Sequence, residues 1–180
     1  ASWPASNSRN LATAATYEMG SVFKSFTVAA GIDTGRADMN TLFDASQALQ
    51  IGKRRITDFH ATNKVLTLEE VYLHSSNIGT SRLAVEMGGD VMRDYFRRLG
   101  LLDAAPIELT ESAAPPKVRK WDDSTLASLS FGYGIMVTPI QYVSAYGALV
   151  NGGRYVPPTL RKGGRPNAQT HQVVSPETSA

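Results

Sequence analysis

Cysteine is absent from these 180 residues, so neither a disulfide framework nor a thiolate metal site organises the fold. That absence suits a cytoplasm and a periplasm equally. Histidine occurs only at His60, His74 and His171, and no two stand at ligand spacing, which argues against a metal centre. Charge of one sign is also scarce. A net +2 gives neither nucleic acid nor an anionic membrane a footing. No stretch approaches the roughly 18 apolar residues of a membrane span. There are no internal repeats. What remains is a 42% hydrophobic chain of a length that suits one domain with a sizeable core.

The chain is organised around Tyr17-Glu18-Met19-Gly20-Ser21-Val22-Phe23-Lys24. Gly20 is a breaker, and an apolar helical pattern follows through Phe23, Phe26, Thr27 and Ala30 until Gly31. The spacing predicts a helix over 21–30, with Ser21 at its N-terminus and Lys24 one turn on, on the same side. A serine hydroxyl is a poor nucleophile until a base takes its proton. A lysine amine can serve once burial and the positive end of the helix dipole make it neutral. Backbone N–H groups at that end could also face an oxyanion. The plain alternative is an N-cap serine beside a solvated lysine. Two features favour the chemical reading. The Lys24 stem is flanked by Phe23 and Phe26, and a second polar cluster occurs at Ser75-Ser76-Asn77.

Residues 1–16, with Trp3-Pro4 near the front, read as an irregular lead-in, and Ser8 and Asn10 as loop. Residues 31–66 are mixed and loop-rich. Leu49-Gln50-Ile51 suits a short strand, and Lys53-Arg54-Arg55 a solvated turn. Asp58-Phe59-His60 admits a functional role, although an aromatic flanked by polar residues is usually a loop anchor. Thr67 with Glu70 predicts a capping box and a helix to His74, which Ser75-Ser76-Asn77 interrupts. A helix over 78–87 ends at Gly88-Gly89. Asp90 is placed to cap the next, whose apolar face is Met92, Tyr95, Phe96 and Leu99, and Arg97-Arg98 forms its wet end. Residues 101–123 are a Pro/Ala-rich surface excursion, and 124–129 a short helix. After Phe131-Gly132-Tyr133-Gly134, Thr138-Pro139 opens a helix with Ile140, Val143, Tyr146 and Val150 as its expected buried stripe. Tyr155-Val156-Pro157-Pro158 is extended, and Ser175-Pro176-Glu177 starts a helix near the last residue, which suggests a piece of a longer chain.

With Tyr17–Lys24 and His74-Ser75-Ser76-Asn77-Ile78-Gly79 taken together, the chain resembles the transpeptidase domain of class B penicillin-binding proteins. Asp58-Phe59-His60, the run from Phe131-Gly132-Tyr133-Gly134 through Thr138-Pro139 to Asn151-Gly152-Gly153, and Tyr155-Val156-Pro157-Pro158 extend the resemblance from about Tyr17 to Pro176.

The resemblance implies an α+β, β-lactamase/transpeptidase-like fold, with this chain mostly its α-helical portion and the central antiparallel sheet largely outside it. Residues 1–180 would form part of one domain: a lead-in at 1–16, the first two motifs in 17–100, the excursion at 101–123, and a helix with an extended tail in 124–180. It further implies that Ser21 is the acylated nucleophile, Lys24 its general base and Ser75 a proton relay. Asn77 would bind the substrate's peptide amide and steady Lys24.

The substrates would be peptidoglycan stem peptides ending in D-Ala-D-Ala, and β-lactams would acylate the same serine. Other cell-wall or division proteins would be partners. The setting would be the periplasm, on an inner-membrane anchor, and no cofactor is implied. The family's third motif, Lys-Thr-Gly, does not occur; Lys162-Gly163-Gly164 reads as an ordinary turn. Three other readings are a β-lactam sensor acylated once at Ser21; a hydrolytic β-lactamase, which needs a placed water and a base that Glu108 and Glu111, in a Pro/Ala-rich stretch, have no evident support to be; and a helical interaction module in which Ser21, Ser75 and Asn77 merely cap and turn.

Overall fold

The computed structural model describes residues 9–164 and 169–180; Ser8 and Trp3-Pro4 lie outside them. The expected irregular lead-in contains a short helix, α1 (Leu11–Ala14), capped by the Asn10 side chain on Ala12 N. Asn10 is therefore a cap rather than loop. Tyr17 then pairs with Val137 through two backbone hydrogen bonds of 2.9 and 3.0 Å.

The predicted first helix is displaced at both ends. Gly20–Phe23 form a 3-10 turn, and the α-helix proper, α2, runs Lys24–Asp33. It passes through Gly31 because α4 (Asn77–Met87) packs there: a Cβ at Gly31 would lie 2.8 Å from the Leu83 side chain. Glycine serves here as close approach rather than as a stop.

Three two-stranded antiparallel pairs account for the strands among the described residues. β1 (Leu42–Asp44) pairs with β4 (Val65–Thr67), with Phe43 opposite Leu66. β2 (Leu49–Ile51), as expected, pairs with β3 (Arg54–Ile56) in a hairpin that turns at Gly52-Lys53. The expected solvated turn is thus partly strand, and Arg54 donates to Ser128 Oγ. The capping box of Thr67 and Glu70 forms as read and opens α3 (Leu68–Leu73).

α5 (Gly89–Arg98) buries Met92, Tyr95 and Phe96 as predicted. Asp90 does not cap it; Gly88 stands at that position without a side-chain bond, and Asp90 sits in the first turn, where a negative charge suits the dipole. Arg98 is not simply wet. It reaches Asp94 and the Val173 carbonyl and lies 4.2 Å over the Tyr95 ring. α6 (Asp123–Leu129) starts under an Asp122 cap.

α7 (Pro139–Leu149) opens with a second capping box, Thr138 with Gln141. Its expected buried stripe is wrong. Val143, Tyr146 and Val150 are 62%, 36% and 68% exposed, while Gln141, Ala145 and Ala148 are buried. The inner face meets α1 and α2 closely, which selects small side chains. Gln141 is buried because it closes the cap and donates to the Gly100 and Asp103 carbonyls. The chain ends with β5 (Arg154–Tyr155) paired to β6 (His171–Gln172), and then α8 (Pro176–Ser179) under its Ser175 cap.

The core lies among α2, α4, α5 and α6. Phe23 is its centre, edge-on to Phe26 at 4.9 Å and to Phe96 at 5.4 Å. Over it sits the turn at Gly132, which has φ +84° and would place a Cβ 2.2 Å from the Gly20 carbonyl oxygen. Gly132→Ala is therefore expected to destabilise the chain by about 2 kcal/mol or more, through both strain and overlap. Gly147→Ala is expected to stabilise it by about 0.5–1 kcal/mol, since a methyl there meets nothing within 4 Å. Urea midpoints of the two variants check both signs.

Candidate functional site

The 3-10 turn that replaces the first turn of the predicted helix aligns Ser21 with Lys24. With three residues per turn, side chains at i and i+3 eclipse one another. Ser21 Oγ lies 3.2 Å from Lys24 Nζ. Lys24 is 2% exposed, whereas Ser21 is exposed.

The other side of the amine is closed by the break between α3 and α4. There Ser76 N donates to Val71 O at 2.9 Å and Ser75 N to Tyr72 O at 3.1 Å. These two bonds are the Schellman arrangement that ends helices, and its left-handed position is usually glycine. Here Ser75 takes it, with φ +55°. A left-handed non-glycine residue costs roughly 1–2 kcal/mol. In return Ser75 presents two oxygens to Lys24. The amine donates to Ser75 Oγ at 2.8 Å and to the Ser75 carbonyl at 2.5 Å. With Ser21 Oγ these make three acceptors for the three donors of an ammonium.

Burial pushes the Lys24 amine down from its ordinary value of 10.5 to about 8, while the Asp58 carboxylate pulls the other way. About a tenth of the molecules therefore carry the neutral amine at pH 7. This arrangement can draw a proton from one hydroxyl and pass it to another. Ser21, Lys24 and Ser75 line a cavity of about 300 Å³ with Val22, Ser25, Tyr72, Tyr142 and Tyr146.

Asn77, the fourth expected residue, is the first residue of α4, and its amide donates to the Thr57 carbonyl at 3.0 Å rather than to Lys24. It lines a separate cavity of about 500 Å³ with Arg54, Arg55 and Tyr133. The expectation that it steadies Lys24 is corrected accordingly: the three oxygens of Ser21 and Ser75 already occupy the amine. Glu108 accepts from Thr159 Oγ1 and Leu160 N, and Glu111 from Thr110; neither lines the cavity of Ser21.

Two supports could not be placed from the sequence. Asp58 accepts from Ser76 Oγ at 2.7 Å and from Ile78 N at 2.9 Å, a tie that needs the hairpin's tertiary position. Tyr142 and Tyr146 reach the cavity from α7, which its apolar spacing pointed the other way.

The model of the penicillin binding protein transpeptidase domain matches residues 3–180. Over 174 residues the chain is 50% identical to the probable peptidoglycan D,D-transpeptidase FtsI of Caulobacter vibrioides, covering 95% of this chain and 29% of that protein. The chain thus spans less than a third of that relative. Among solved structures, a peptidoglycan glycosyltransferase from Burkholderia ambifaria superposes with a TM-score of 0.88 at 30% identity, over 97% of this chain and 56% of the other. The apo TP domain of Burkholderia pseudomallei penicillin-binding protein 3 gives 0.87 at 30% identity, over 95% and 53%. The fold expected from the motifs, the helical portion of an α+β transpeptidase-like domain, is the one shared with these structures.

Burial of Lys24 has a sign that stability measurements can read. The folded chain releases this proton near pH 8 and the unfolded chain near 10.5, so between them the unfolded state binds more protons. Stability gained from this group rises across that window; below pH 8 the cost of the buried ammonium is present in full. Urea unfolding of the wild type is expected to gain on Lys24→Met from pH 8 to 10.5. Parallel curves for the two proteins would refute the assignment.

Proposed function

Since this chain belongs to the penicillin-binding protein transpeptidase family, we propose that it carries the nucleophile, base and proton relay of a peptidoglycan D,D-transpeptidase. What supports this reading above all is one contact set: the buried Lys24 amine on both Ser21 Oγ and Ser75 Oγ. Neutral Lys24 takes the Ser21 proton as Oγ attacks the carbonyl of a D-Ala-D-Ala stem peptide. The amide C–N bond breaks, and Ser75 relays the proton from Lys24 to the departing D-Ala amine. An ester on Ser21 remains. The amine of a second stem peptide then attacks it, and its proton returns by the same route as Ser21 is released.

Asn77, at the mouth of α4, hydrogen-bonds the substrate's peptide amide. The Lys-Thr-Gly strand, with a carboxylate-binding group and a second oxyanion donor, comes from outside these 180 residues. Losing such a donor costs about two to three orders of magnitude in rate, so the full-length protein is the proper object of study. A β-lactam acylates Ser21 by the same attack, its strained amide standing for the scissile bond. The proposed setting is the periplasm on a membrane anchor, among cell-wall and division proteins.

A fluorescent penicillin is expected to label the full-length protein at Ser21, located by mass spectrometry of the digest. Ser21→Ala removes the label, and Lys24→Ala slows it by about two orders of magnitude or more. A D-amino-acid acceptor is expected to discharge a stem-peptide acyl group from Ser21. Undiminished labelling of Ser21→Ala, or an acyl group that no amine releases, overturns the transferase reading; the latter result points to the sensor.

A further inference from the structure

The acyl-transfer steps leave one carboxylate beside the amine without a role. Asp58 follows the β2–β3 hairpin and is half-buried. Its Oδ2 accepts from Ser76 Oγ at 2.7 Å and its Oδ1 from Ile78 N at 2.9 Å. Both donors stand just past Ser75, where α4 begins. Ser76 is 1% exposed, and its own Oγ also accepts from Gly79 N as the cap of α4. One carboxylate thus fixes the residue after Ser75 and the first turn beyond it.

The same carboxylate is the charged group whose field acts on the Lys24 ammonium. The titratable groups facing that amine from other elements are Tyr72 of α3 and Tyr142 and Tyr146 of α7. The first turn of α2 carries no acid. Asp58 therefore has two levers on one amine. It holds Ser75 in its left-handed conformation, oxygens toward Lys24, and it offsets the ammonium's charge.

We propose that Asp58 is a positioning residue for acyl transfer: its two oxygens hold the start of α4, and with it Ser75 on Lys24, while its charge balances the buried ammonium. This inference rests on the roles given above to Lys24 and Ser75. A helix cap of purely structural importance would alter stability alone.

Asp58→Asn separates the levers. The amide keeps an acceptor for Ile78 N and a polar partner for the Ser76 hydroxyl, but removes the charge. In full-length protein, the acid limb of penicillin acylation against pH is expected to move down by about one unit, because Lys24 then loses its proton sooner. Asp58→Glu, which keeps the charge, brings the limb back toward the wild type. Asp58→Ala loses both levers: its acid limb moves down as in Asp58→Asn, and its rate on the plateau above the limb falls about tenfold or more. The Lys24 side chain, followed by NMR titration, should show the same displacement in Asp58→Asn without any substrate. That readout decides the role of Asp58 even if Ser21 proves unreactive, which would be a failure of the transferase reading alone. An unchanged Lys24 titration and acylation limb in Asp58→Asn, with only the unfolding midpoint lowered, overturns the proposal. Should Asp58→Asn unfold, an Asp58→Glu protein with the wild-type limb supports the charge role, and one displaced as far as a neutral side chain would place it refutes it.

Discussion

A single buried amine with three oxygens around it sets the terms for the rest of this chain. Lys24 is 2% exposed, and a primary ammonium at that depth is costly unless every donor is met. Ser21 and Ser75 meet them. The neighbouring architecture follows from that requirement. A 3-10 turn brings the first hydroxyl into line, and a helix end with serine in place of glycine brings the second, with its carbonyl. Each device costs conformational energy. Core packing around Phe23, Phe26 and Phe96 supplies the rigidity that keeps them in place.

The balance of forces on the amine is also what makes it chemically useful. Full exposure would leave it protonated and inert as a base. Full burial without acceptors would neutralise it but leave it nothing to exchange protons with. Burial against two hydroxyls and a carbonyl, with Asp58 opposing part of the desolvation, settles it near 8. At that value an amine both accepts and returns a proton at ordinary pH.

Legibility in the sequence tracked how local the cause was. That Gln141 closes a second box on Thr138 was not read, but the capping box at Thr67–Glu70 and the Thr138-Pro139 start of α7 could be read directly, because each signal lies within four residues. So could the Ser21–Lys24 pair and the break at Ser75, which short polar residues announce. The buried face of α7 could not. Val143, Tyr146 and Val150 are the more apolar set, but the helix approaches its neighbours closely enough that Ala145 and Ala148 fit and the larger residues do not. Gly31 misled for the same reason, since Leu83 of a distant helix explains it. Asn77's partner and Asp58's place depended on where the hairpin lands, which no local pattern encodes.

The turn that carries Ser21 is finished by residues far along the polypeptide. Gly134 N donates to Glu18 across a separation of 116 residues, Val137 pairs with Tyr17, and Gly132 lies against Gly20. Contacts of such separation form late, because the intervening loop must first be closed. Until the Phe131–Val137 segment has left the ribosome, then, Ser21 and Lys24 stand on a turn that lacks these tertiary partners.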